Sequence, residues 1–377
     1  MGSTAQLVLV CDFDIGLLHR ILAVYEHFSE KPRVLLIKKR RGSLSKRDAF
    51  SKIEIPLRAD VDASTPVRMF GAVVRASVYL FYVFLLLPSI ARNRPINVVH
   101  AHYLLPQGLA GALIARAVKA PLILTATGTD MNILAKRRIP RWLMRRVLFQ
   151  NASLIIAVSQ GILKEVQNLG CHHAIYLPNC VEIDKNRGLE QSLNAHNIIF
   201  VGSLTKLKRP HVLIQAFRRV ADEVPDATLT IAGKGPLRQS LEDMTSRLHL
   251  TEKVTFAGYI EGEKVVQLYR EASVFVLPSA AEGLSLALLE AMSFGKCVVV
   301  SERAHSGVIQ DRVDGLIFRF DDADDLAGKL LWIFENPERS KRLSVNARQK
   351  VEREYSLEAI APRLEQLYGE VAGVTSQ

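Results

Sequence analysis

The sequence predicts an α/β protein with two doubly wound, Rossmann-like parallel-sheet domains. Three observations carry this. Ten short runs are apolar at successive positions and rich in β-branched residues, as strands covered on both faces of a parallel sheet are. They are LVLVCD (7–12), RVLLIK (33–38), NVVHAH (97–102), LILTAT (122–127), LIIAVS (154–159), NIIFVGS (197–203), TLTIAG (228–233), KVTFAG (253–258), VFVLPS (274–279) and CVVVS (297–301). Amphipathic stretches separate them; Val212, Leu213, Ala216, Phe217 and Val220, for example, recur on one face of a 3.6-residue helix. Ten strands exceed one comfortable sheet, and the polar stretch VEIDKNRGLEQSLNAH (181–196) has the composition of a linker. The expected division is an N-terminal domain at 1–182, a C-terminal domain at 197–354, and a terminal helix within 355–377 packing back toward the first domain. A cleft is expected where the carboxyl ends of the two sets of strands meet.

Composition narrows the class further. Apolar residues make up 49% and charged residues 23% of the 377, which excludes disorder as the main state. The four cysteines (Cys11, Cys171, Cys180, Cys297) form no Cys-x-x-Cys pair, so neither a disulfide framework nor a zinc ribbon is expected. Lys and Arg exceed Asp and Glu by 11, which calls for an anionic partner. Neither an export leader nor a myristoylation signal is read at the amino terminus, where Gln6 stands at the Ser/Thr position. The longest apolar run, VYLFYVFLLL (78–87), stops at Pro88 and is too short to span a bilayer. A cytoplasmic protein that touches the membrane surface is expected.

The densest chemical signal is VFVLPSAAEGLSLALLEAMSFGKCVVVS (274–301). A buried strand ends at Pro278-Ser279, a loop carries Glu282 and Gly283, and a helix opens near Leu284-Ser285. Gly283 lets a ligand approach the backbone, and free N–H groups at the helix start favour phosphate. Glu290 falls about 9 Å further along that helix, at 1.5 Å per residue from Leu284. Carboxylates repel phosphate, so Glu282 and Glu290 are better used as acceptors for sugar hydroxyls. An isolated Glu pair beside a core helix is ordinarily solvated; here the whole constellation resembles the Glu-seven-residues-Glu motif of retaining nucleotide-sugar glycosyltransferases of family four, of the bacterial polysaccharide type, which have the two-domain GT-B fold.

The resemblance extends along the chain. FVGSLTKLKRPHVLIQAF (200–217) is similar to the family's strand, glycine turn and helix, in which an Arg and a Lys five residues later bind the diphosphate. Lys208 stands at the Lys position and Ser203 at the Arg position, with Arg209 adjacent to compensate. IAGKGPL (231–237) resembles the Ala-Gly-x-Gly-Pro turn, giving Gly233 and Gly235 as donor-side residues; Arg238 in place of a third glycine excludes a dinucleotide fingerprint. FAGYIEGEKVVQLY (256–269) resembles the segment whose backbone, here at Tyr259 and Ile260, contacts the base. YLPNCVEID (176–184) is similar to the hinge element, with Cys180 for Gly. On the acceptor side, HAHYLLPQGLAGALIA (100–115) resembles the His-x-His element and singles out His102. LTATGTDMN (124–132) resembles the Thr-x-His-Gly-x-Asp turn, with Thr127 for His and with Gly128 and Asp130 retained.

What the resemblance implies is transfer of a sugar from a nucleoside diphosphate donor, UDP preferred to GDP, to a hydroxyl of a lipid-linked or membrane-associated glycan acceptor, with retention. Catalytic roles fall to Glu282, Lys208 and His102. Donor contacts fall to Ser203, Arg209, Gly233, Gly235, Tyr259, Ile260, Gly283, Leu284, Ser285 and Glu290. No metal or other cofactor is expected. Lys136, Arg137, Arg138, Arg141, Arg145 and Arg146 interleave with Ile139, Trp142, Leu143 and Met144 in a segment that Pro140 starts as a helix, and this mixture suits an anionic membrane surface. Arg68, Arg75, Arg92 and Arg94 flank the 78–87 run in the same way. Nucleic acid is not expected: no recognition motif occurs. Two rivals stay open, a GT-B nucleotide-sugar-binding protein without catalysis and a nucleotide-sugar epimerase.

Overall fold

All ten apolar runs form strands in the computed structural model, which describes residues 6–11, 23–29, 33–39, 51–55, 65–92, 96–183 and 196–373. The linker residues 184–195 and Arg94 lie outside the described residues, as do the side chains of Arg68 and Arg75. The first sheet contains β1 (Gln6–Cys11), β2 (Arg33–Lys39), β3 (Ser51–Ile55), β4 (Val98–His102), β5 (Leu122–Ala126), β6 (Leu154–Ala157) and β7 (Ala174–Tyr176). They lie in the order β3-β2-β1-β4-β5-β6-β7, every pair parallel. The second sheet contains β8 (Asn197–Val201), β9 (Thr228–Ala232), β10 (Val254–Gly258), β11 (Val274–Leu277), β12 (Cys297–Ser301) and β13 (Leu316–Phe318). Its order is β10-β9-β8-β11-β12-β13, again all parallel.

Burial explains why the inner strands were readable. Every residue of β5, β6, β11 and β12 is buried, so their sequences are apolar except for Thr125 and Ser301. Helix Pro210–Glu223 buries Val212, Leu213, Ala216, Phe217 and Val220 against the second sheet, which is the stripe the spacing predicts.

Contacts divide the chain into two compact units, Met1–Pro178 with Ile360–Gln377, and Asn179–Ala359. The first boundary falls four residues before 182 because Val181 belongs to the second unit: its N–H donates to Tyr355 O at 2.9 Å and it bridges to Ser356. The terminal helix, Leu357–Ala372, joins the first unit from Ile360 onward. Within that unit Tyr368 Oη meets His100 Nδ1 at 2.5 Å and Tyr25 Oη at 2.9 Å, all three residues buried, and Ser29 binds Glu365.

Candidate active site

In an open parallel sheet the crevice for a ligand opens where successive connections leave in opposite directions. In the second sheet this point lies between β8 and β11, since the chain runs outward from β8 to β10 on one side and from β11 to β13 on the other. Two loops emerge there, one after Val201 and one after Leu277.

The β8 loop is hydrogen-bonded to its neighbour through main chain. Gly202 N–H donates to Ala232 O, Leu204 N–H to Lys234 O, and Leu237 N–H to Leu204 O, at 2.9–3.1 Å. A Cβ on Gly233 (φ +145°) would sit 1.8 Å from Gly202 O, and one on Gly235 would sit 2.4 Å from Leu204 O. The two glycines expected on the donor side are thus demanded by this loop-to-loop approach. The loop ends at Arg209, whose left-handed φ of +49° turns the chain into helix Pro210–Glu223.

The β11 loop carries the acidic partner. Lys208 Nζ and Glu282 Oε1 form an ion pair at 2.6 Å, with the two side chains 22% and 10% exposed. Around it, Ala280 N–H donates to Leu207 O at 2.8 Å and Ser306 Oγ to Glu282 O at 3.2 Å. Gly283 is buried. Ser285 is the N-cap of helix Leu286–Ser293, its Oγ accepting from Leu288 N–H at 3.3 Å, so the helix begins two residues after Leu284. Glu290 lies on that helix and accepts from Tyr269 Oη at 3.0 Å; the Tyr269 ring is buried and stacks on Phe294. Glu282, Lys208, Gly283 and Ser285 therefore share one mouth of the sheet.

Other expected donor residues take distinct positions. Ser203 is exposed on the β8 loop. Tyr259 is exposed, with Lys234 Nζ 4.7 Å over its ring, and Ile260 is half-buried. Arg209 has another partner than the one expected: its guanidinium binds both carboxylate oxygens of Asp321 and lies over Phe320, which also receives Arg303. That contact holds the Asp321 carboxyl below its usual range. Lys208 is left as the cation that faces Glu282.

In the first unit the corresponding reversal lies between β1 and β4. His102 ends β4 and stacks on His100 with ring centroids 4.3 Å apart; burial lowers its pKa to about 3, so the imidazole is neutral near pH 7. Asp130 is buried and accepts from Leu104 N–H, Thr127 N–H and Thr127 Oγ1, each at 3.0 Å. Burial nevertheless raises its carboxyl to about 6. Asp130 and Thr127 thus clamp the turn after β5 to the turn after β4, and half-buried Gly128 lies within that clamp.

Two polar groups at these mouths escaped the sequence reading. Gln107 Oε1 and Ser279 Oγ are buried and have no hydrogen-bond partner among the described residues. Both lie inside segments already singled out, 100–115 and 274–301, yet neither was assigned a role, because a buried polar atom without a partner is a property of packing. No group of three or more His, Cys, Asp or Glu among the described residues is placed to hold a metal ion.

Two all-parallel, doubly wound α/β units have the architecture of the GT-B glycosyltransferases. The chain belongs to the group 1/family 4 glycosyltransferases: the model of glycosyl transferases group 1 matches residues 184–350, and that of glycosyltransferase family 4 matches residues 45–185. Among curated proteins it is similar to an uncharacterized glycosyltransferase of Methanocaldococcus jannaschii, 26% identical over 79% of this chain and 82% of that one. It is also similar to the N-acetyl-alpha-D-glucosaminyl L-malate synthase of Bacillus anthracis, 24% identical over 75% and 77%. Among solved structures, HepE of Anabaena in complex with UDP and glucose superposes with a TM-score of 0.78 at 16% identity, covering 97% of this chain and 100% of that one. Sucrose-phosphate synthase of Thermosynechococcus elongatus superposes with a TM-score of 0.79 at 17% identity, covering 99% and 100%. These likenesses show the fold.

Proposed function

We propose that this glycosyltransferase moves a sugar, with retention, from a UDP-sugar in preference to a GDP-sugar onto a hydroxyl of a lipid-linked or membrane-associated glycan, as in cell-surface polysaccharide assembly. The observation that carries the reading is the Lys208–Glu282 pair beside the capped start of helix Leu286–Ser293. In it, Lys208, Ser203 and the amides of Gly283–Ser285 take the diphosphate charge that grows as the sugar–phosphate bond breaks. Glu282 accepts from sugar hydroxyls, and Glu290, steadied by Tyr269, accepts from the ribose hydroxyls. The residues assigned to the diphosphate stabilise the leaving group without a metal. His102, neutral near pH 7, serves the sugar or acceptor as a hydrogen-bonding group. Retention corresponds to attack by the acceptor oxygen from the face that the diphosphate leaves. Preference for UDP is supported by HepE, solved with UDP and with UDP-glucose.

A cytoplasmic protein at the membrane face is supported by the basic segment: Lys136, Arg137, Arg138, Arg141, Arg145 and Arg146 are exposed, as are Ile139 and Trp142. Each cation near an anionic surface contributes about 1 kcal/mol.

The test is a thermal-shift panel of UDP, GDP, ADP and their sugar derivatives on wild type and Glu290→Ala. Ligand at a hundred times its Kd adds about 2.7 kcal/mol, which moves Tm by several degrees. UDP is expected to raise the wild-type Tm and to fail with the variant. A wild type that no nucleotide stabilises would leave a GT-B scaffold without donor binding.

A further inference from the structure

One long stretch of this chain is almost free of acidic residues. Residues 63–164 contain thirteen Lys and Arg and one acidic residue, Asp130; the other 275 residues carry 36 basic and 37 acidic side chains. Asp130 is itself fully buried. The net positive charge of the whole chain therefore resides in a stretch of the first unit whose exposed carboxylates number none among the described residues.

Helix Thr65–Arg92 runs through this stretch. Its buried side includes Tyr79, Val83 and Ile90, each at 0% exposure. Its opposite side is equally apolar and yet exposed: Val74 is 43% exposed, Phe81 58%, Phe84 62% and Leu85 55%. Val74, Ser77, Phe81, Phe84 with Leu85, Pro88 and Arg92 follow one another at three- and four-residue steps and are all exposed, so they form one stripe of the helix. A helix has no need of a second apolar face for folding, and exposed aromatic and aliphatic side chains in a row mark a contact surface. Among the described residues no helix is long and apolar enough to cross a membrane.

We infer that the Phe81–Phe84–Leu85 stripe inserts into the interfacial layer of an anionic bilayer, the basic segment at 136–146 drawing the protein to the surface and the stripe fixing it there. Charge complementarity chooses this occupant. A second copy of the same strongly basic surface would be repelled, and nucleic acid would use the cations while leaving Phe84 and Leu85 with nothing to contact. A bilayer of anionic lipid satisfies both features at once, headgroups for the guanidinium groups and acyl chains for the stripe. This deepens the membrane side of the proposed function, but its readout is vesicle binding, which needs no donor and no turnover.

The experiment is flotation of the full chain with vesicles of phosphatidylcholine alone or mixed with phosphatidylglycerol, at low and high salt. Wild type is expected on the mixed vesicles, with a fraction that resists salt. F81S/F84S/L85S, altered only at exposed positions, is expected to keep the wild-type Tm and UDP response, to lose the salt-resistant fraction, and to bind about tenfold more weakly. R137Q/R138Q/R141Q/R145Q is expected to lose recruitment already at low salt. In a Trp332→Phe background Trp142 is the remaining tryptophan, and brominated lipid should quench it. Equal flotation of the stripe variant and wild type overturns the inference. So does binding to duplex RNA or DNA with none to vesicles, or self-association that the stripe variant abolishes while vesicles leave both proteins in solution. Absence of a UDP response in a wild type that floats would strike the donor reading and leave the membrane inference standing.

Discussion

Lys208 and Glu282 neutralise one another across 74 residues of chain. In the proposed site a diphosphate must displace the carboxylate from the ammonium, so the acid competes with the ligand for the same cation. Glu282→Gln is therefore expected to tighten UDP binding while lowering transfer. A half-buried pair of this kind contributes about 1 kcal/mol, or about fivefold in Kd. Calorimetry of UDP with the variant checks this; weaker binding would mean that Glu282 positions Lys208 instead of competing for it. A second prediction concerns His100 and His102, both pushed down by burial, His102 to about 3. The unfolded chain protonates these imidazoles near 6.5 and the folded chain does not, so their contribution is lost as pH falls below about 6.5 toward 3. Asp130, raised to about 6, works the other way, the folded state holding its proton between about 4 and 6. Two histidines against one carboxyl leave stability rising with pH across that window. His102→Gln should flatten the slope by about one proton, measured by urea unfolding at a series of pH values.

At the scale of the element, legibility followed burial. Inner strands such as β11 and β12 are covered on both faces and spell themselves out in apolar letters. The strands missing from the sequence reading are β3, β7 and β13, all at sheet edges. β3 reads Ser-Lys-Ile-Glu-Ile, alternating because an edge needs less cover, and β7 and β13 are three residues long. Residues of the candidate site were legible where motif and geometry coincide, as at Ser285 and Glu282. Contacts that depend on distant chain, such as Tyr269 with Glu290 or Arg209 with Asp321, left no local mark. Gly233 and Gly235 were read as donor contacts, while the steric need for them, the approach of the β8 loop, was not read. Gly233→Ala should accordingly lower the stability of the second unit by about 3 kcal/mol or more, read by chemical denaturation. A variant that keeps wild-type stability but loses UDP binding would return this glycine to the ligand.

For the whole molecule the decisive fact is that the two units are threaded differently. Asn179–Ala359 is one uninterrupted segment, whereas the other unit combines the beginning of the chain with its last helix. Removing residues 360–377 is expected to leave the thermal transition of the second unit in place and to lower that of the first, which loses Tyr368 from His100 and Tyr25. Scanning calorimetry separates the two; an unchanged first transition would make the terminal helix dispensable for that unit.

The bond from Val181 N–H to Tyr355 O has a consequence in time as well as in space. It brings the two ends of the second unit together, so this unit is an insertion that closes on itself. Tyr25 and His100, by contrast, must await Tyr368, which is made after every residue of the second unit. The half of the enzyme made first is thus the half that finishes last.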